Sequence, residues 1–116
     1  MLTPFERALV AHLIGDWLLQ NDWMARNKMH LRHPAAWIHA GIHVVLLTLA
    51  LDWVSGLVLG VVHLLVDTRI PQRWWSRVFR QTMEGEMGLQ VQIWGDQVLH
   101  IASLALWLVL RPHLGI

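Results

Sequence analysis

The stretch that decides the fold is residues 35–70, AAWIHAGIHVVLLTLALDWVSGLVLGVVHLLVDTRI. As one helix its 36 residues would extend roughly 54 Å, whereas the hydrocarbon core of a bilayer is about 30 Å thick. The segment therefore has to fold back on itself. Its one polar and flexible interruption lies at Asp52-Trp53 and Ser55-Gly56. We predict two antiparallel helices, over residues 35–52 and 55–70, joined by a tight turn.

Two further helices flank this hairpin. The first is predicted over residues 4–20, because TPFE at residues 3–6 forms a capping box with proline in the first turn. The last is predicted over residues 89–110, because its apolar run ends just before Pro112, which cannot continue a helix. The sequence therefore predicts four helices in a single domain, residues 1–116.

A short amphipathic segment separates the hairpin from the last helix. Over residues 72–82, apolar side chains share one helical face and arginines surround it. The apolar members are Trp74, Trp75, Val78 and Phe79, and the basic ones are Arg73, Arg77 and Arg80. This pattern is typical of a helix that lies at the headgroup level of a membrane. We interpret it as an interfacial anchor, with one wall of an anionic-lipid or phosphate site as the alternative.

The composition favours a membrane protein. Apolar residues make up 55% of the chain, more than is usual in soluble domains, and mean hydropathy is positive. Six of the eight tryptophans fall near one set of helix ends, with Trp53 and Trp107 toward the other, as in two aromatic belts. We predict an all-α, polytopic membrane four-helix bundle, with a soluble bundle as the alternative. The absence of cysteine excludes disulfides, thiolate zinc sites and iron–sulfur clusters.

Positive charge is concentrated in two loops on the same side of the predicted bundle. These loops carry Arg26, Lys28 and Arg32 after the first helix, and Arg69, Arg73, Arg77 and Arg80 after the third. The other side has only Arg7 and Arg111. Because cytoplasmic loops carry an excess of Lys and Arg, we predict cytoplasmic basic loops and both termini outside.

Each predicted helix carries two ligand-type side chains four residues apart. The pairs are His12/Asp16, His39/His43, His63/Asp67 and Asp96/His100. A spacing of four places both members on one helix face. At matched depths the pairs form two tiers, a carboxylate-rich tier near the cytoplasm and an all-histidine tier one turn deeper. No lysine or arginine is expected at the level of the aspartates, so these need protons, imidazolium partners or cations.

The two halves of the chain resemble each other. HLxxD at residues 12–16 recurs at residues 63–67, and Wx(H/D)xxxH at residues 37–43 recurs at residues 94–100. Each half is thus a hairpin with the same pair of motifs in the same order. Because both hairpins run the same way, the pseudo-symmetry axis is expected along the membrane normal.

Imidazole and carboxylate ligands suit a divalent transition metal. Zinc is our first expectation, with iron, manganese or nickel as alternatives, and eight ligands are enough for one or two ions. Asp16, Asp67 and Asp96 are the candidate catalytic groups. The candidate anion contacts are Arg26, Lys28, Arg69 and Arg73, which could meet a substrate anion.

The leading hypothesis is a metal-dependent hydrolase that acts on a lipid-linked ester or phosphate at the cytoplasmic leaflet. The expected partners are the lipid bilayer and anionic lipid, without nucleic acid, and homo-oligomerisation is left open. Alternatives are a metal-ion or proton translocator, a haem-binding electron carrier, and a metal-stapled structural or partner-binding protein.

The first motif extends into a longer recognisable stretch. The sequence HLIGDWLLQNDWMARNK, residues 12–28, resembles the hallmark of a family of small bacterial and phage membrane proteins known as domain of unknown function 3307. His39, the His63/Asp67 pair and DQVLH at residues 96–100 resemble its later motifs. The resemblance implies a multi-pass protein of the bacterial inner membrane, with Gln20, Asp22 and Lys28 bordering the cytoplasmic mouth. A looser likeness links the chain to membrane-bound metal-dependent hydrolases.

Overall fold

Every regular element of the structure, a computed structural model that describes residues 1–116, is helical. The elements are α1 (Pro4–Leu13), a π-helical turn (Ile14–Leu18), α2 (Asp22–Asn27), α3 (Pro34–Ala50), α4 (Trp53–Asp67), α5 (Ile70–Val78), α6 (Gly85–Leu110) and a 3₁₀ turn (Arg111–His113). The prediction of an all-α fold is confirmed.

The helix starts follow from the local sequence. Thr3 caps α1 and forms the reciprocal capping box with Glu6, whose carboxylate accepts from the Thr3 N–H. Asp52 caps α4, because its carboxylate accepts from the Ser55 backbone N–H at 3.0 Å. Leu51 and Asp52 are therefore the whole connection between α3 and α4, and the fold-back required by the length of the apolar segment is made there.

Several boundaries differ from the prediction. The first helix is not regular to residue 20, since its α-helical part ends at Leu13 and continues as the π-helical turn. Helix α2 was not predicted at all. Helix α4 covers Trp53–Asp67 rather than residues 55–70, and the amphipathic segment forms α5 over Ile70–Val78 rather than over residues 72–82. Helix α6 begins at Gly85 rather than at residue 89.

The four longest helical segments pack as a closed ring. Helix α3 has its most extensive contacts with α4, while α1 packs against α3 and α6, and α4 packs against α6. Helices α1 and α4 are therefore diagonal to each other, as are α3 and α6. This is the arrangement expected of two related hairpins, because the HLxxD helices and the Wx(H/D)xxxH helices occupy equivalent places in the ring.

An apolar layer fills one end of the ring. It consists of Ala8, Ala11, Leu47, Leu59, Leu104 and Trp107. Glycine permits close contact here, because a Cβ added at Gly60 would collide with the side chain of Val44 across the α3–α4 interface. Apolar packing therefore holds this end of the helices together.

A polar network closes the outer rim of this layer. The Trp107 indole donates to the Ser55 hydroxyl at 2.7 Å, and the Arg111 guanidinium donates to Asp52 at 2.9 Å. Desolvation pushes the pKa of Asp52 upward, but its hydrogen bonds with the Ser55 N–H and Arg111 outweigh this and hold the pKa below its ordinary value. Trp107 is only 8% exposed, so it belongs to the core and not to an outer aromatic belt.

The outer surface is strongly apolar, whereas about half of the buried side chains are polar or charged. Exposed apolar residues lie on α1, α3, α4 and α6 alike, and include Val10, Val45, Leu49, Leu57, Val61, Leu65, Val98, Leu106 and Val109. One helix, α6 with the following 3₁₀ turn, is long and apolar enough to span a membrane by itself. Helices α4 and α5 meet that criterion only together, across a bend of 58°.

Candidate metal centre

All eight side chains of the four His/Asp pairs meet in the interior of the ring. Each of them is exposed by 5% or less. The cluster lies one helical turn from the apolar layer, because Ala8, Leu47, Leu59 and Leu104 are each four residues from a histidine of the cluster. The structure therefore brings together all eight of the ligand-type side chains that the sequence predicts to meet.

Asp16 is the centre of the first half of the cluster. Its Oδ1 atom lies 3.0 Å from Nε2 of His43, 3.1 Å from Nε2 of His39 and 3.4 Å from Nε2 of His63. Its Oδ2 atom accepts from the Gln97 amide at 3.0 Å. One carboxylate thus gathers imidazoles from both α3 and α4.

Asp67 has the equivalent role in the second half. Its Oδ1 atom lies 3.0 Å from Nε2 of His100, and its Oδ2 atom lies 3.0 Å from Nε2 of His63. The contact between His100 and Asp67 repeats the contact between His43 and Asp16 at the same distance. The repeat in the sequence is therefore also a repeat in the contacts of the cluster.

Protons alone leave the centre of this cluster poorly satisfied. The Nε2 atoms of His39 and His63 face each other at 3.1 Å, and each also lies close to a carboxylate oxygen. If both nitrogens donate to these carboxylates, two N–H groups confront each other. A cation bound by the lone pair of either nitrogen, such as that of His63, removes this conflict. Ligand atoms of a tetrahedral zinc ion stand roughly 3.3 Å apart, given bonds of about 2.0–2.1 Å. Comparable distances of 3.0 and 3.4 Å separate Asp16 Oδ1 from the Nε2 atoms of His43 and His63.

Three groups of side chains in the cluster could hold a metal ion. They are His12/Asp16/His43/His63, His39/His63/Asp67 and Asp67/Asp96/His100, and the ligand atoms within each group lie within 4.8 Å of one another. The first group offers three nitrogens and one oxygen. Four ligands are the number that zinc takes in a closed tetrahedral site.

The π-helical turn and a glycine position the Asp16 side of the cluster. Asp16 lies in the middle of the turn, and π-helical turns often occur at functional sites. A Cβ added at the preceding Gly15 would lie 2.6 Å from Cε1 of His43. Only glycine therefore allows this backbone to approach the imidazole so closely.

A cavity of about 310 Å³ lies against the cluster. It is lined by Asp16, Trp17, Gln20, Ala25, Lys28, Arg69, Ile93, Asp96 and Gln97. Asp16 and Asp96 belong to both the cluster and the cavity wall. One oxygen of Asp96 is buried without a hydrogen-bond partner. The cavity therefore brings two cationic side chains next to two of the candidate metal ligands, Asp16 and Asp96.

Lys28 corrects the expectation that no basic group lies at the level of the aspartates. It ends α2 and is only 7% exposed, and its Nζ atom lies 3.7 Å from Oδ1 of Asp67. The charge pattern of the sequence places this residue in a solvated basic loop. Helix α2, which has no strong apolar period, directs it inward.

Gln97 is a second residue that reasoning from the sequence missed as a contact of the cluster. Its amide donates to Asp16, and its Oε1 atom lies 3.0 Å from Nε2 of His12. Its position three residues before His100 places it on the same side of α6, and that spacing was the available signal.

The four predicted anion contacts separate into two pairs. Lys28 and Arg69 line the cavity, and Arg69 also donates to the Gln92 side chain at 3.4 Å. Arg26 and Arg73 are exposed and do not line it, so the structure does not bring these two to the cluster. Among the remaining histidines, His33 caps α3 by accepting from the Ala35 N–H.

Fold and site together define an all-helical protein with a largely apolar surface and a buried His/Asp cluster that could bind a metal. The chain belongs to the family described as protein of unknown function (DUF3307), whose sequence model matches residues 5–113. The predicted resemblance is thereby confirmed over nearly the whole chain. Comparisons with curated proteins and with solved structures give no match.

Proposed function

We propose that this chain is a multi-pass protein of the bacterial inner membrane that binds a divalent metal ion and hydrolyses a lipid-linked ester or phosphate at the cytoplasmic leaflet. The observation that carries the proposal is the cavity that shares Asp16 and Asp96 with the His/Asp cluster and adds Lys28 and Arg69 to its wall. Candidate metal ligands, the Asp96 carboxylate and two cationic side chains meet at one place.

Membrane insertion is supported by the distribution of polarity. Exposed apolar side chains surround the ring of helices, while the ionisable groups lie inside it, which is the reverse of a soluble bundle. We propose that α1, α3, α4 and α6 form a transmembrane four-helix bundle, with the π-helical turn completing the first span. The basic loops then face the cytoplasm and both termini lie outside.

Helix α5 supports the same placement. Its exposed side chains include Trp74, Trp75, Val78 and Phe79, and arginines flank them. A helix with this pattern lies at the headgroup level and favours anionic lipid. The bend of 58° between α4 and α5 suits a chain that leaves the bilayer and turns along its surface.

The metal would be held by the His12/Asp16/His43/His63 group, with zinc the first expectation and iron or manganese as alternatives. An ion held there by four protein ligands would have to take a fifth ligand, as zinc does in some catalytic sites, to supply Lewis-acid polarisation of an ester or phosphoryl oxygen. Asp16 and Asp67 are surrounded by imidazoles and hold the cluster together. Asp96 borders the cavity as Asp16 does, but it differs from both because its carboxylate accepts no hydrogen bond and lies only near His100, with Oδ1 3.5 Å from Nε2.

Asp96 is therefore the best-placed general base of the three aspartates. A water molecule in the cavity gives a proton to this carboxylate as its oxygen adds to the carbonyl carbon or phosphorus. The bond to the leaving oxygen breaks, and the proton passes from Asp96 to that oxygen. Arg69 holds the anionic group of the substrate through charge-assisted contacts, and the Lys28 ammonium beside Asp67 adds positive potential at the cavity wall.

The apolar layer favours hydrolysis over translocation. An ion that crossed the bundle would have to pass Leu47, Leu59 and Leu104, which lie one turn beyond the histidines. These side chains offer no ligand to an ion, and a desolvated charge among them is strongly unfavourable.

The replacement Asp96→Asn tests the proposal, with Glu86→Gln on the exposed start of the same helix as the matched control. Detergent-purified protein is assayed for bound metal by mass spectrometry, and for hydrolysis with a panel of phospholipids and polyprenyl phosphates. We expect near-stoichiometric metal in all three proteins, and a loss of hydrolysis of about 10²-fold or more in Asp96→Asn alone. Activity in metal-free protein, or metal-loaded protein that leaves the whole panel intact, contradicts the proposal.

A further inference from the structure

We infer that the cluster takes one divalent ion and not two, because the buried ammonium of Lys28 acts as its second cation. The inference rests on the metal site proposed above. It concerns the number of ions and the role of Lys28, and it is independent of which bond is hydrolysed.

The position of Lys28 carries the first part of the argument. Its Nζ atom lies 3.7 Å from Oδ1 of Asp67, the same oxygen that lies 3.0 Å from Nε2 of His100. Asp67 and His100, with Asp96, form one of the three candidate ligand groups. The ammonium therefore lies beside that group, where a bound divalent ion would repel it at short range and low dielectric.

The broken repeat shows why a fixed cation is needed on this side. In the first half His39 lies 3.1 Å from Asp16, so an imidazole accompanies the carboxylate. In the second half the equivalent of His39 is Asp96, so two carboxylates, Asp67 and Asp96, lie 3.0 and 3.5 Å from the same His100 nitrogen. This half carries one more negative charge than the first, and Lys28 is the basic side chain in contact with it.

Charge balance gives the same number of ions. The cluster holds three buried carboxylates, Asp16, Asp67 and Asp96. With neutral imidazoles, one divalent ion and one ammonium neutralise them, whereas a second divalent ion would leave two uncompensated positive charges in the interior. Buried uncompensated charge is strongly unfavourable. The ion then belongs to the His12/Asp16/His43/His63 group, which does not include Asp67.

The test is the zinc content of the purified full-length chain after equilibration with Zn²⁺ and desalting. We expect one zinc per chain in the wild type and in Lys28→Arg, which keeps the charge. Two zinc ions are expected in Lys28→Met, because the neutral side chain no longer repels an ion in the Asp67/Asp96/His100 group and lowers the excess charge of the two-ion cluster from two to one. Arg26→Ala, which removes an exposed cation of the same helix, is the matched control and should keep one ion.

Two zinc ions in the wild type, or one in a folded Lys28→Met protein, overturn the inference. Should Lys28→Met fail to fold, Mn²⁺-loaded wild type decides, since an isolated ion and a coupled pair have different electron paramagnetic resonance spectra. The isolated-ion spectrum supports the inference and the coupled one refutes it. A wild type that binds no metal refutes the proposed site as well, whereas a single ion without hydrolysis refutes only the enzymatic proposal.

Discussion

At the scale of the residue, Gly15 controls how closely the Asp16 turn approaches His43. The Cβ of an alanine there would lie 2.6 Å from the imidazole, so the ring or the turn has to move. The Nδ1 atom of His43 has no hydrogen-bond partner, so packing and the single contact of Nε2 with Asp16 orient this ring. A small displacement here changes the geometry of a candidate ligand without changing any ligand atom.

We therefore expect Gly15→Ala to weaken zinc binding by about 10- to 100-fold, as do changes to groups that orient metal ligands. Competition with a chelator of known affinity measures the change. Gly41→Ala is the matched control, because nothing lies within 4 Å of a Cβ added there. Equal zinc affinity in the Gly15→Ala and Gly41→Ala proteins would show that the close contact has no part in metal binding.

Individual residues also show how far the sequence predicts the site. The eight ligand-type side chains could be identified because a spacing of four residues within an apolar segment can be read directly from the sequence. The inward position of Lys28 could not, because it depends on the direction in which a six-residue helix leaves the π-helical turn. Arg26 and Arg73, which were predicted as anion contacts, do not line the cavity for the same reason. The sequence does not tell which basic side chains point inward.

At the scale of the element, Asp52 joins the start of α4 to the end of α6. Its carboxylate caps α4 through the Ser55 N–H and accepts from Arg111 of the 3₁₀ turn. The sequence predicted the turn at Asp52 but not the ion pair, because Asp52 and Arg111 are 59 positions apart and meet only through the closure of the ring.

The pair predicts a pH-dependent stability. The pKa of Asp52 is lower in the folded chain than its ordinary value of about 3.9, so the pair stabilises the fold above that pH, and the contribution is lost as the pH falls through the folded pKa. Asp52→Asn keeps the capping oxygen and removes the charge. We expect it to lower stability at pH 7 by less than about 1 kcal/mol, since the pair is partly exposed.

Thermal unfolding of detergent-solubilised wild type and Asp52→Asn measures this difference. The gap between their unfolding temperatures should narrow as the pH falls from about 4 through the folded pKa of Asp52, because the wild-type carboxyl then loses its charge. A gap that stays constant or widens with acid would mean that the charge of Asp52 does not stabilise the fold. Glu86→Gln, at an exposed carboxylate with no ion-pair partner, should show no such trend.

At the scale of the whole molecule, the repeat in the sequence predicted more of the architecture than the hydropathy did. Helices that carry the same motif are expected at symmetry-related positions of the bundle. Helices α1 and α4 share the HLxxD motif, and they do lie diagonally across the ring. Hydropathy predicts the helix ends less accurately, because each helix is short and the face that it buries is polar. Helix α2 and the π-helical turn lack a periodic signal, so their form is decided by packing around the cluster.

The same polar interior makes the stability of the bundle depend on what fills the cluster. An apolar layer holds one end of the ring together. The other end consists of buried histidines and aspartates that contact one another. Three carboxylates with one lysine are left with unbalanced charge in the absence of a further cation. A metal ion that binds only the folded chain therefore stabilises it by mass action.

The central claim, that imidazoles and carboxylates of four helices bind one metal ion, is tested most directly by X-ray absorption spectroscopy of the zinc-loaded protein. We expect four nitrogen or oxygen neighbours at about 2.0–2.1 Å, with the outer-shell scattering of about three imidazoles, as the His12/Asp16/His43/His63 group requires. A spectrum with six oxygen neighbours and no imidazole scattering would place the metal outside this cluster and contradict the account.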